Sequence, residues 1–286
     1  MDDLYKTILY SVIAAICLSA MAFFVRQASE THSILVILFS RFVITSFYSL
    51  IVINLARKKG LTLSLRTENI FLHLFRAIAA SLAMYLFFRS LSNIPLVTAN
   101  VLNLTHPLFS ILIAAFILKE NTNLLEMIFC MLGFIGVIFI LQPSMESTFN
   151  FYALCALFSG FFTSLSIVGV RKLARKEHPY SILLYNSLLS LSITGIFLLL
   201  AGIPKQIPDL YPLLLVGLFG SLYQDLLIRA LALSPAKIPS SMMYLSIASS
   251  YFIGFTGQNK SINIAAMIGI IMIASSGIML ILKNKS

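Results

Sequence analysis

The chain has 286 residues, of which 59% are hydrophobic and 10% charged, with 20 basic against 10 acidic side chains. A soluble domain carries about a quarter charged residues, so this composition excludes a water-solvated surface over most of the molecule. A formal charge of +10 would suit nucleic acid in a soluble protein, but here the basic residues sit in short segments between apolar runs. They act as topology signals, and no nucleic-acid partner is expected.

Ten stretches approach the about 20 residues that cross a bilayer as a helix. They lie at 5–25, 32–54, 69–90, 94–118, 124–141, 149–170, 181–202, 211–233, 238–257 and 264–282. No alternating barrel strands occur, which leaves helices to satisfy the backbone in lipid. The expected class is therefore an all-α membrane protein. The first run follows Met1-Asp2-Asp3 without a basic cluster and continues into the pattern, so it reads as a span and not a cleavable leader. With an inner amino terminus, the inner segments hold Lys6, Arg57, Lys58, Lys59, Arg66, Lys119, Arg171, Lys172, Arg175, Lys176, Lys237, Lys283 and Lys285. The outer ones hold Arg26, Arg89, Lys205 and Lys260. The positive-inside rule then places both termini in the cytoplasm.

The chain is also written twice. Arg89-Ser90-Leu91 followed by Pro95 answers Arg229-Ala230-Leu231 followed by Pro235, and Val25-Arg26 answers Val170-Arg171. Residues 1–142 and 143–286 are thus expected to be two five-helix copies, meeting in the Pro143-Ser144 turn. Five is odd, so the second copy enters from the opposite side. An inverted five-plus-five repeat around a central cavity is an architecture of secondary transporters.

Polar residues at membrane depth carry the functional signal, because an unpaired charge in lipid costs at least a few kcal/mol. The second span holds Arg41 and the third Arg76. The fourth holds Asn100, Asn103 and His106 before Pro107, which must free the Asn103 carbonyl and loosen the helix there. Two roles are open for His106, a proton relay or a hydrogen-bonded packing residue. The eighth span carries Tyr223, Gln224 and Asp225, and the ninth a hydroxyl-rich run including Tyr244. Asp225 has two candidate partners: Arg76 across the cavity, or Arg229 one turn along its own helix. Arg41 and Arg76 outnumber the deep acids, which favours a solute with a carboxylate or phosphate. An internal salt-bridge network is the alternative. The candidate substrate contacts are Arg41, Arg76, Asn100, Asn103, Gln224, Asp225 and Tyr244, and the candidate proton-coupling groups are Asp225 and His106.

Cys17, Cys130 and Cys155 lie inside apolar runs without CxxC spacing, which points to packing and not to metal or disulfide chemistry. Nothing resembles a P-loop, HExxH or a nucleophile–base pair, so no enzyme and no cofactor is expected. The abundance of Phe (23) and Tyr (11), with Asp225, keeps a second function open, that of an exporter of hydrophobic or cationic compounds.

Ser40-Arg41-Phe42, Leu74-Phe75-Arg76-Ala77 leading to Phe87-Phe88 and Ile94-Pro95, and Thr105-His106-Pro107-Leu108-Phe109 stand in a fixed order with Lys119-Glu120, Gly133, Gly136 and Val170-Arg171-Lys172-Leu173-Ala174. In this order and spacing the chain resembles the EamA type of the drug/metabolite transporter superfamily, over essentially its whole length. The resemblance implies ten helices, a cavity between the third, fourth, eighth and ninth, and the cytoplasmic membrane of a bacterium. The arginines resemble most the branch of S-adenosylmethionine uptake carriers, whose substrate has a carboxylate. The chain departs from that branch at Gln258-Asn259-Lys260 and at Met243 and Ser246 around Tyr244-Leu245. The expected activity is alternating-access transport of a small polar metabolite bearing a carboxylate.

Overall fold

A computed structural model describes residues 2–60, 65–67, 69–94, 96–120, 123–141, 151–202, 209–247, 249 and 264–283. The turn expected at 142–148 and the ninth span beyond Ser249 lie outside the described residues, as do the departures at 258–260. Among the described residues every regular element is a helix. The helices are α1 (Asp2–Ser29), α2 (Ile34–Lys58), α3 (Ile70–Leu91), α4 (Leu96–Asn103), α5 (His106–Leu118), α6 (Leu124–Leu141), α7 (Phe151–Leu173), α8 (Pro179–Ala201), α9 (Tyr211–Leu233), α10 (Lys237–Met242) and α11 (Ile264–Lys283).

Among the described residues seven helical stretches are long and apolar enough to cross a bilayer, with α4 and α5 together supplying the one at Ala99–Leu118; Leu124–Phe139 and Met267–Ser276 are shorter apolar helices. The outward surface is what lipid requires. Phe116 is 91% exposed, Phe71 84% and Leu200 79%, a coat that water would force to aggregate. Inside, serines and threonines donate to carbonyls one turn back, as Thr45 does to Arg41 and Ser46 to Phe42. Their hydroxyls are thereby satisfied without water.

Two spans are broken. The first break falls at Leu104-Thr105, just ahead of Pro107 in the first turn of α5, where the ring prevents the regular ladder. The second falls at Met243-Tyr244, where the bonds shorten to the i→i−3 type, Met243 N–H to Ser240 and Tyr244 N–H to Ser241. Freed backbone groups at membrane depth are tolerable only inside protein or beside a cavity.

The helices pack in pairs: α1 on α9, α3 on α7, α2 on α8 and α9, α3 on α8, α4 and α5 on α7, α10 on α1, and α6 on α11. Lipid gives no hydrophobic drive between helices, so close approach depends on small residues. On α9, Gly217 and Gly220 face α2, where a Cβ would run into Ile44 and into the Nε of Arg41 respectively. Ser221 of the same helix donates to the Thr45 hydroxyl at 3.0 Å.

Ion pairs gather at one end of the bundle. Glu120, after α5, accepts from Arg171 at 3.0 Å and lies 3.6 Å from Arg175, both near the end of α7; it also accepts from the Ala236 N–H ahead of α10. Arg171 further donates to the Leu231 carbonyl at the end of α9. Lys237 and Glu126 pair at 2.6 Å, joining the starts of α10 and α6. Glu177 holds His73 and Thr67 at the start of α3. At the opposite end, His32 meets the Asp209 carbonyl and Phe24 packs on Tyr211 and Phe219.

Two expectations follow. Gly217→Ala gains about 1 kcal/mol of helix propensity but overpacks Ile44 at about 1–3 kcal/mol; thermal unfolding in detergent should show net destabilisation, and a raised Tm would contradict the close α2–α9 packing. Glu120→Gln removes the charge shared by Arg171, Arg175 and the Ala236 N–H. It should cost about 1.5–3 kcal/mol, the worth of hydrogen bonds to a charged group, and an unchanged Tm would mean that the cluster is solvated.

Candidate functional site

A cavity of about 80 Å³ lies between α1, α3, the α4–α5 break, α7, α8 and α9. Its polar lining comprises Arg76, Asn103, His106, Thr163, Ser166, Asn186, Tyr223 and Gln224; its apolar lining includes Met21, Met84, Phe87 and Phe88. It holds water-sized solutes but falls far below the roughly 300–1,000 Å³ of a small-molecule pocket. The arrangement is therefore contracted, and a larger solute requires the helices to part.

Arg76 is 2% exposed and donates to the Ile182 carbonyl at 3.0 Å, while its Nε has no partner. Gly169 of α7 lies against its stem, where a Cβ would meet the Arg76 Cβ in ordinary contact at 3.5 Å. Arg41 is wholly buried, in the notch that Gly220 leaves. Its guanidinium donates to the Met84 sulfur and, at 3.5 Å, to Gln224 Oε1, and lies 5.1 Å from the Phe42 ring centroid. Its Nε also lacks a partner. Arg41 thus stands directly behind Met84 and Gln224, two residues of the cavity wall.

Asp225 does not meet Arg76. Its carboxylate takes both arms of Arg229 at 2.8 Å and the Tyr48 hydroxyl at 2.9 Å, and Arg229 lies over the Tyr180 ring at 4.9 Å. Of the two candidate partners, the one on the same helix is the partner found. An i,i+4 pair needs no movement of one helix toward another, and Tyr48 supplies the remaining donor.

The other candidates divide. Asn103 donates to Ser159 at 2.8 Å and borders the cavity. His106 is 1% exposed with Nδ1 unpartnered. Asn100 lines a smaller space of about 20 Å³ with Ser19 and Ser246, which shares Leu18, Phe87 and Asn103 with the main cavity. Tyr244 is turned elsewhere: fully buried, its ring packs over Gly133 of α6 and its hydroxyl lies 3.5 Å from Cys130. The break just before it directs the side chain into the α6–α10–α11 packing, so it does not border the cavity, contrary to its placement among the substrate contacts.

Asn186, Thr163 and Ser166 border the cavity without having been singled out in the sequence. Asn186 is 1% exposed with both amide atoms unpartnered. A signal existed, because the offset that carries Arg26 onto Arg171 carries Arg41 onto Asn186. Among the described residues no cluster of His, Cys, Asp and Glu could hold a metal ion.

Comparison with known proteins gives the same picture at the level of the whole chain. A solved crystal structure superposes with a TM-score of 0.79, covering 98% of this chain and 99% of the other at 16% identity, which speaks for the fold alone. A pseudopaline exporter of Pseudomonas aeruginosa is 27% identical over 86% of each chain. An uncharacterized transporter of Helicobacter pylori is 26% identical over 97% of this chain and 96% of its own. An S-adenosylmethionine uptake transporter of Rickettsia bellii is 26% identical over 78% of this chain and 76% of its own. The model of the EamA-like transporter family matches twice, at residues 5–142 and 150–282. With nearly every residue inside one of those two matches, this multi-pass membrane protein belongs to the EamA-like transporter family.

Proposed function

We propose that the chain is a secondary carrier for a small polar metabolite bearing a carboxylate, an amino acid or a compound like S-adenosylmethionine, which it moves across the bacterial cytoplasmic membrane by alternating access. The observation that carries the reading is the pair of buried guanidiniums, Arg76 at the cavity wall and Arg41 directly behind it, bonded only to neutral groups. Guanidinium stays protonated at any physiological pH and grips carboxylates with two parallel bonds. Arg76 faces the cavity, Asn103, Asn186 and Gln224 offer neutral contacts beside it, and Asn100 borders the adjoining space. Asp225 and His106 remain the candidates for proton coupling, Asp225 by exchanging Arg229 for a proton.

In this reading the membrane domain has ten spans in two inverted copies, 1–142 and 143–286, with both termini in the cytoplasm. Four observations support it. The family model matches once in each half. The packing pairs exchange with one another when the helices of the halves are swapped in order: α1–α9 with α7–α3, α2–α9 with α8–α3, α4–α7 with α10–α1. The helix breaks at Leu104-Thr105 and Met243-Tyr244 occupy matching positions, and discontinuous helices of this kind border the midplane sites of inverted-repeat transporters. The matched helices also run oppositely, since α3 starts and α9 ends at the end where ion pairs gather.

Export is the second reading, favoured by the similarity to pseudopaline exporters. A cationic cargo is disfavoured, because the Asp225 carboxylate is already held by Arg229 and Tyr48.

Reconstitution in liposomes tests the proposal. Labelled amino acids and S-adenosylmethionine should exchange across the membrane, and Arg76→Ala should cut the rate roughly tenfold or more, the loss of about 1.5–3 kcal/mol expected for a charge-assisted bond. Asn186→Ala should weaken transport less, as a neutral contact. Full transport by a folded Arg76→Ala protein would contradict the binding role.

A further inference from the structure

Arg76 stands at the cavity wall, Arg41 stands directly behind Met84 and Gln224 of that wall, and no described residue that borders the cavity is negative. Arg41 is bonded to a thioether and an amide oxygen, and Arg76 to a backbone carbonyl. The Nε of each points at no acceptor. The nearby carboxylates are engaged elsewhere: Asp225 by Arg229 and Tyr48, Glu177 by His73 and Thr67. Neither guanidinium can shed its proton at working pH. Each buried charge without a counter-charge costs several kcal/mol, so the empty cavity carries two such costs at once.

We infer that the cavity is built for a solute carrying two anionic groups, a dicarboxylate being the simplest, with one group meeting each guanidinium. This rests on the reading of the cavity as the site of a carboxylate-bearing solute, and within that class it places dicarboxylates ahead of zwitterionic amino acids and S-adenosylmethionine. A single carboxylate relieves one arginine and leaves the other uncompensated. A zwitterionic amino acid returns a positive charge for the negative one it brings, and a solute with a sulfonium centre brings two positive charges. Two anionic groups bring the site to neutrality. Asn186, with donor and acceptor both unused and 1% exposed, then orients the segment between them. The Gln224 amide, whose Nε2 is also unpartnered, adds a donor beside Arg41. The cavity must widen to admit such a solute, and the thioether of Met84, which accepts from one arm of Arg41 and borders the cavity, is a side chain that moves easily.

The test is ligand binding to the full-length protein in detergent or nanodiscs, read by thermal shift and calorimetry. The probes are succinate, glutarate, acetate, alanine, S-adenosylmethionine and inorganic phosphate. Succinate or glutarate should bind about tenfold or more tightly than acetate and alanine, the effect of one added charge-assisted bond. In Arg41→Gln that gap should close, while acetate binding holds. Arg41→Lys, which keeps the charge and loses the fork, should preserve the preference at reduced affinity. A dominant response to phosphate supports the two-charge site with phosphate in place of paired carboxylates. Alanine or S-adenosylmethionine binding as tightly as the dicarboxylates overturns the two-anion site and leaves the carrier reading intact. Stabilisation by none of the six probes overturns both.

Discussion

A guanidinium inside a membrane protein must be met by something, and what meets it here governs the rest of the structure. Arg41 and Arg76 are almost fully buried, yet their partners are a sulfur, an amide and a carbonyl. Each contact is weaker than an ion pair. The fold tolerates both charges because it makes room for them. Gly220 opens the notch for Arg41, and with Gly217 it permits the close packing of α9 on α2. Residues that shape the packing therefore also place the charge.

The acids complement this arrangement by staying out of the way. Asp225 sits beside Gln224 but turns to Arg229 and Tyr48. Glu120, Glu126 and Glu177 tie together helix ends at one side of the bundle. Those pairs close one end while the cavity between them and the other end keeps its positive charge. At the far end the contacts among the described residues are aromatic, with one hydrogen bond between His32 and the Asp209 carbonyl and no ion pair. Rocking of two halves about a central site requires both ends to be reversible.

Much of this was legible in the sequence, for reasons tied to particular residues. The spans follow from apolar length, and the first helix break from Pro107. The second break has no proline at the matching position. Beside it Tyr244 packs over Gly133, a contact between segments about 110 residues apart, which no local pattern encodes. For that reason the hydroxyl-rich run reads as a cavity face although Tyr244 is turned away. The partner of Asp225 could be narrowed to two residues, since spacing alone supplies Arg229 and only the positions of the helices decide about Arg76. Asn186 was missed because a single amide in an apolar run draws less notice than an arginine, although the internal repeat aligns the two.

The central claim is that Arg76 at the cavity wall and Arg41 directly behind it have no carboxylate of the protein against them. Anomalous diffraction from crystals soaked in bromide tests it most directly, because a small anion reports where uncompensated positive charge lies. The account predicts bromide within hydrogen-bond distance of Arg76 or Arg41 at the cavity wall, with Asp225 still paired to Arg229. A carboxylate of the protein seated against Arg41 or Arg76, with no bromide between them, would contradict it.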